Sequence, residues 1–338
     1  MQLRDIAIAN DQAVFAREMK AVALGLIVIL AGAAACWPAR ADYPEKRVTI
    51  VVPYQPGGGV DFVARLFGSK LSDAFRQPVI VENKPGAGGM IGVEAVAKAS
   101  PDGYTVLIDA PGVAINPSLY RKVPYDPEKG LQPVAKLISS PFVIVVNPSV
   151  PARNLRDLVD FAKKKSRAIN VAVAGPSTQL AGEFFRLLIN VEFTFIPYKG
   201  AAPASSSVVS GDTHMMFSDL PSVAPQVASG RLRAIAVSGD KRSPMMPDVP
   251  TAAEAGMPNY VVTAWYGMFA PAGTSPGIVS TLNVALNRVA ALPETVSKLV
   301  AFGAEPVTGS VEDFDRFYRG ELARWKDVVT RAKLPLND

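Results

Sequence analysis

The segment VTIVVPYQPGGGVD, residues 48–61, sets an uninterrupted β-branched run against a turn of Pro, Gln and three glycines. A run of that kind is a strand buried on both faces, and the glycines turn the chain directly into something else. Val63, Leu66, Phe67, Leu71 and Ala74 then recur at helical spacing, so the unit reads strand, tight turn, helix. The same unit follows at once: a strand at residues 79–81, the turn Pro85-Gly86-Ala87-Gly88-Gly89, and a helix through Ile91, Ala95 and Val96. A third strand is expected over residues 104–108. Repeated strand and helix units predict α/β architecture with mainly parallel strands.

Further along, residues 142–146 (FVIVV) begin a second cycle, with strands expected at 169–174, 193–196, 214–217 and 235–237 and helices between them. A late strand over 261–270 precedes about seventy residues of helical pattern. Two similar lobes follow, with the chain crossing into the second and returning. The divisions expected are a leader over 1–41, lobe 1 over 42–141 plus 263–338, and lobe 2 over 142–262, joined by a two-strand hinge.

Composition narrows the chemistry. Of 338 residues, 49% are hydrophobic and 19% charged, as in a packed globular protein. One cysteine, Cys36, and one histidine, His214, exclude a disulfide and leave no zinc, iron–sulfur or Cys–His constellation. A net charge of +5, dispersed along the chain, is too mild for a nucleic-acid groove and suits small anionic ligands. No cofactor and no metal are implied.

Residues 21–35 (AVALGLIVILAGAAA) form an uncharged apolar run preceded by Arg17 and Lys20 and followed by Ala39-Arg40-Ala41. Basic n-region, h-region and A-x-A site make a cleavable signal peptide cut after Ala41, too short for a spanning helix. The expected location is the periplasm. An uncleaved anchor and acylation of Cys36 are the competing readings, and Met19-Lys20 would itself make an ordinary start, leaving residues 1–18 in question.

Each glycine turn ends a strand and opens a helix, where open α/β sheets place ligands. Backbone N–H groups there can hold an anion without a cationic side chain, although a tight turn alone explains the same glycines. Neither turn fits GxGxxG, and GxxxxGK[ST] is absent. Asp61 and Arg65, four apart, form either a surface ion pair or a support for the glycine turn. His214 is expected to be structural. Gly175-Pro176-Ser177-Thr178-Gln179 fails GxSxG at its last position and reads instead as a hydroxyl-bearing helix start. Trp265 and Tyr266 are core residues or cleft walls.

YPEKRVTIVVPYQPGGGVDFVAR, VENKPGAGGMIG, SPDGYTVL, NPSLY, PYDPEKG, FIPYKGAAPA, MFSDLPS, GRLRAIAVSGDKRSPMMPDVPTAAEAG and WYGMFAPAGT, in this order, closely resemble the extracytoplasmic receptors of tripartite tricarboxylate transporters, the Bug family. The resemblance implies a two-lobe periplasmic binding protein of the type II-like, Venus flytrap kind, with its ligand cleft at the hinge. It implies a monomer that captures a small organic acid and hands it to a membrane permease of one large and one small subunit, with no enzyme activity and no nucleic-acid partner. Carried over by position, Gly58, Gly59, Ala87 and Gly88 would hold one carboxylate. Asp61 would support that loop and Tyr54 would form a wall. Ser177, Thr178, Gln179, Ala202, Ser218 and Asp219 would select the distal half. The chain departs from the family at Asp109 to Ala114, at the shortened Ala174 to Leu180, and at Ser218-Asp219. A receptor that signals without transport, or a secreted enzyme, are the alternative functions; few residues here could run an enzyme.

Overall fold

The computed structural model describes residues 43–164, 169–198 and 201–338. The expected signal peptide, its cleavage site, Cys36 and the alternative start at Met19 lie outside the described residues. Tyr43–Asp338 form one compact unit. Among the described residues no helix is long and apolar enough to cross a membrane, and no group of His, Cys, Asp and Glu could hold a metal ion.

The first strand and helix units form as the sequence pattern dictates. Strand β1 (Val48–Val52) is buried on both faces and lies parallel to β2 (Val79–Asn83) and β3 (Thr105–Asp109). Helix α1 (Gly59–Phe75) follows β1 and buries Val60, Val63, Ala64, Phe67 and Leu71. After β2, a single 3-10 turn, Ala87–Gly89, opens α2 (Met90–Ala97); after β3 comes α3 (Gly112–Leu119).

Strand β4 (Leu131–Val146) is sixteen residues long, and it corrects the expectation of a strand over 142–146 alone. Its first part, LQPVAKLISSP, hides the strand signal behind two prolines, a lysine and two serines. The ladder tolerates Pro133 because the register shifts between Pro133 and Ala135, and a proline is admissible in a strand at such an irregularity.

Beyond β4 come α4 (Leu155–Lys164), β5 (Asn170–Val173), α5 (Pro176–Ile189), β6 (Thr194–Pro197), α6 (Ala201–Ser210), β7 (Met215–Asp219), α7 (Leu220–Ala228) and β8 (Arg233–Val237). The chain then returns through β9 (Thr263–Pro271) to α8 (Pro276–Ala290), α9 (Pro293–Phe302), the two-residue β10 (Glu305–Pro306) and α10 (Val311–Ala332). The sheet runs β2-β1-β3-β9-β4-β7-β5-β6, with β8 and β10 also paired to β4. Partners change along β4. Residues 131–141 pair antiparallel with β9, ending at Pro141 opposite Thr263, and residues 142–146 pair with β7 and β8.

The two faces of the sheet are packed differently. On one face a single core runs from Val93 and Leu107 through Ile144 and Phe185 to Trp265 and Trp325. On the other, one cluster gathers around α1 and α8, with Phe67, Ile138 and Leu282, and a separate one around α6 and α7, with Val143, Val208 and Leu220. Helix α10 fastens the continuous face. Glu321 Oε2 accepts the indole N–H groups of Trp265 at 2.9 Å and Trp325 at 3.1 Å, and its other oxygen pairs with Arg324 at 2.9 Å.

Candidate ligand-binding site

The β1–α1 turn is organised by Asp61 from below. Its carboxylate accepts the Gly57 N–H at 3.0 Å, the Arg65 Nε–H at 2.9 Å and the Asn83 amide at 2.9 Å. Asn83 also donates to the Tyr54 carbonyl at 3.0 Å, tying the ends of β1 and β2 together. The Arg65 guanidinium first, then the other donors, hold the Asp61 carboxyl down at about 2. Asp61 is buried and engaged by the loop, so what it contributes is loop shape. No side chain caps α1 at Gly58, so its first-turn N–H groups remain available for an outside acceptor.

The second turn is more unusual. Gly86, Ala87, Gly88 and Gly89 all have positive φ, at 135°, 46°, 64° and 94°. A chain of L-residues resists such a run, which explains three glycines in four positions. The Asn116 amide on α3 donates to the Gly88 carbonyl at 3.0 Å and fixes the turn. Ala87 and Gly88 are exposed, as are Gly57 and Gly58 across from them in sequence order.

A third turn, between β3 and α3, joins these two; the sequence marked its residues, Asp109 to Ala114, as a departure from the family without giving any of them a contact in the site. The Tyr54 hydroxyl lies where a Cβ on Gly112 would be 2.9 Å away and one on Gly89 3.4 Å away, so Tyr54 reaches between the second and third turns. Beneath it sits Asp109, the last residue of β3 and 1% exposed. One carboxyl oxygen of Asp109 accepts the Ala110 N–H at 2.7 Å. Burial pushes the carboxyl up to about 7 against the opposing pull of that N–H and of the Tyr54 hydroxyl. The rule that assigned the first two strand ends to ligand binding applies equally to the third.

From the other half of the sheet, Ser177 and Gln179 stand half-buried in the first turn of α5, after β5, and Ala202 is exposed in the first turn of α6, after β6. Thr178 is buried and occupied by its own loop: its hydroxyl accepts from the Ala174 N–H at 2.9 Å and donates to the Gly175 carbonyl at 2.9 Å. Ser218 and Asp219 end β7. The Ser218 hydroxyl is buried without a hydrogen-bond partner among the described residues.

Tyr266 on β9 brings the halves together. A Cβ on Gly59 would lie 2.5 Å from its hydroxyl, and after burial the nearby Asp219 carboxylate is the further cause that raises that hydroxyl to about 12. Gly59 from the first turn and Asp219 from β7 therefore flank one tyrosine. Neighbouring Trp265 points to the opposite face and is fully buried, as strand alternation requires. His214 is structural: its Nδ1 accepts the Asn170 N–H at 3.0 Å. A concavity of about 800 Å³ lined by Tyr120, Glu128, Arg319, Leu322, Lys326 and Leu336 shares no residue with this site.

The arrangement offers an anion several backbone donors among the described residues, and comparison with known proteins agrees with that chemistry. Residues 63–334 match the model of the tripartite tricarboxylate transporter family receptor. Protein BugT of Bordetella pertussis is 37% identical over 320 residues, covering 92% of this chain and 97% of that protein. The structure of Rpa4515 from R. palustris with adipate is 35% identical with a TM-score of 0.72, covering 88% of this chain and all of that one. MatC from Rhodopseudomonas palustris, with bound malate, is 32% identical with a TM-score of 0.69, covering 85% of this chain and all of that one. These are solute-binding receptors, not enzymes, and they share the two-lobed α/β fold expected from the sequence. With its family match across four-fifths of its length and a relative 37% identical over 92% of it, the chain belongs to the tripartite tricarboxylate transporter family of receptors.

Proposed function

We propose that this receptor acts in the periplasm, captures a small organic acid between two lobes and delivers it to a membrane permease of one large and one small subunit. The observation that carries this reading is the convergence of the β1–α1, β2–α2 and β3–α3 turns, whose helices start without a side-chain cap at Gly58, Gly89 and Pro111. Away from these turns, α8 and α10 are capped by Ser275 and Ser310, while α9 starts uncapped at Leu292. Uncapped N-termini beside exposed glycine amides suit a carboxylate. Adipate and malate, the acids bound by Rpa4515 and MatC, are the first candidates.

In this reading Gly58, Gly59, Ala87 and Gly88 hold the proximal carboxylate while Tyr54 walls it. Asp61 maintains the first turn. Ser177, Gln179, Ala202, Ser218 and Asp219 meet the rest of the ligand, and Thr178 acts by shaping the α5 start. The lobes divide where β4 exchanges partners, at residues 141 and 142, and again before β9, giving 42–141 plus 263–338 and 142–262. A thermal-shift series with mono-, di- and tricarboxylates tests this. Stabilisation that grows with acid concentration is the expected result, and a response to uncharged solutes only would defeat it.

A further inference from the structure

Asp109 has no place in the reading just given, yet it sits directly behind the rim. A carboxyl 1% exposed, one residue from the turn that opens α3, is an odd neighbour for an anion. It meets the rim at the Ala110 N–H, which it accepts at 2.7 Å, and at Tyr54. The Tyr54 hydroxyl feels the Asp109 carboxyl electrostatically and lies against the Cβ positions of Gly89 and Gly112, next to the Gly88 carbonyl that Asn116 anchors. Opposite Asp109 on β9 is Gly267, which brings no charge.

We propose that Asp109 is a specificity-determining residue that lets the rim take a ligand carboxylate only together with one proton from solvent, carried on Asp109 itself. This inference rests on the carboxylate reading of the rim and deepens it. Two effects of the proton act in the same direction. An ionised Asp109 repels the incoming carboxylate through a dry, weakly screening layer, and a neutral one does not. An ionised Asp109 also claims the Tyr54 O–H as its donor. A neutral Asp109 instead donates its own proton to the Tyr54 oxygen, and the Tyr54 O–H turns outward to the ligand. The proton comes from water and returns to it on release; no bond between heavier atoms changes.

The surroundings leave Asp109 as the group that titrates. Facing it are the Tyr54 hydroxyl from the β1–α1 turn, Tyr125 from the segment before β4, and Tyr318 from α10. Burial raises all three phenols well above their ordinary value, so they stay neutral across the relevant range. No lysine or arginine is among the groups that shift Asp109. Asp61, the other buried acid near the rim, is paired with Arg65 and stays ionised. Tyr266 couples to Asp219 rather than to Asp109. With Asp109 titrating about neutrality in the free protein, a bound anion raises its pKa further, and the linked proton is taken up mainly above pH 7.

The test is calorimetric titration of the purified protein with adipate and with malate at pH 6, 7 and 8, each in two buffers of different ionisation enthalpy. Expected are proton uptake near zero at pH 6 rising towards one per ligand at pH 8, with affinity falling up to about tenfold between pH 7 and 8. Asp109→Asn should abolish both the uptake and the pH slope. Binding with no proton uptake at any pH overturns the proposal and leaves the carboxylate reading intact. A wild-type slope retained in Asp109→Asn also overturns it, since another group would then be titrating. Failure of every acid of the thermal-shift series, adipate and malate included, to bind wild type and variant at every pH overturns the carboxylate reading, and the proposal with it.

Discussion

Asp109 shows how a single buried group writes a pH dependence into the whole fold. Its carboxyl ionises near 3.8 when the chain is unfolded and at about 7 in the native state. Between those values the native state holds a proton that the unfolded state does not, so this group's contribution to stability falls as pH rises from about 4 to 7 and is flat above. Asp109→Asn should therefore be more stable than the wild type at pH 7 to 8, by on the order of 4 kcal/mol at most, and so melt higher, and the gain should vanish near pH 4. Parallel melting curves for both proteins at pH 4, 6 and 8 check this. At the rim, Gly88 has φ 64° and its Cβ position meets only side-chain ends at 3.6 Å and beyond. Gly88→Asp should thus fold, at a cost of about 1 kcal/mol for the left-handed backbone, while a negative charge at the anion rim weakens adipate binding by at least about 100-fold in calorimetry.

Elements owe their placement to a few contacts between distant segments. Gly59 starts α1 against the Tyr266 hydroxyl of β9 and the Phe302 ring at the end of α9, with Cβ positions at 2.5 and 2.9 Å. Gly59→Ala should lower the melting temperature by several degrees, and adding Tyr266→Phe should restore part of the loss because it removes the nearer atom. A double-mutant cycle measures that coupling. Helix α10 is held to β9 by Glu321, which satisfies two buried indoles at once. Glu321→Ala leaves both N–H groups unpaired and should cost about 3 kcal/mol in denaturant unfolding, whereas Glu321→Gln, which keeps one acceptor, should cost less.

For the whole molecule, the asymmetry of the sheet faces matters most. One core is continuous across the exchange of partners in β4, and the opposite one is split. A hinge is easiest to bend where the covering layer is interrupted. Ligand bridging both halves should then shift an open population towards a closed one. Small-angle scattering should show the radius of gyration decrease on saturation with a stabilising acid, and identical profiles with and without it would contradict closure.

Much of this was readable from residues alone. The strand, glycine turn and helix units over residues 48–96 and the α/β class follow from local pattern, because burial on both faces forces uninterrupted β-branched runs and tight turns force glycine. The family resemblance followed from the order of motifs. Three things were decided only in three dimensions. Strand β4 begins at Leu131, since tertiary pairing with β9 overrides prolines that local propensity reads as a break. Thr178 is spent on its own loop, which depends on the exact turn adopted before α5. The third turn, with Asp109 under Tyr54, becomes part of the site through the packing of β3 beside β1, a neighbour relation that spacing along the chain does not encode. Local sequence fixes which conformations a segment can adopt, whereas the burial of a charge depends on what the rest of the molecule stacks around it.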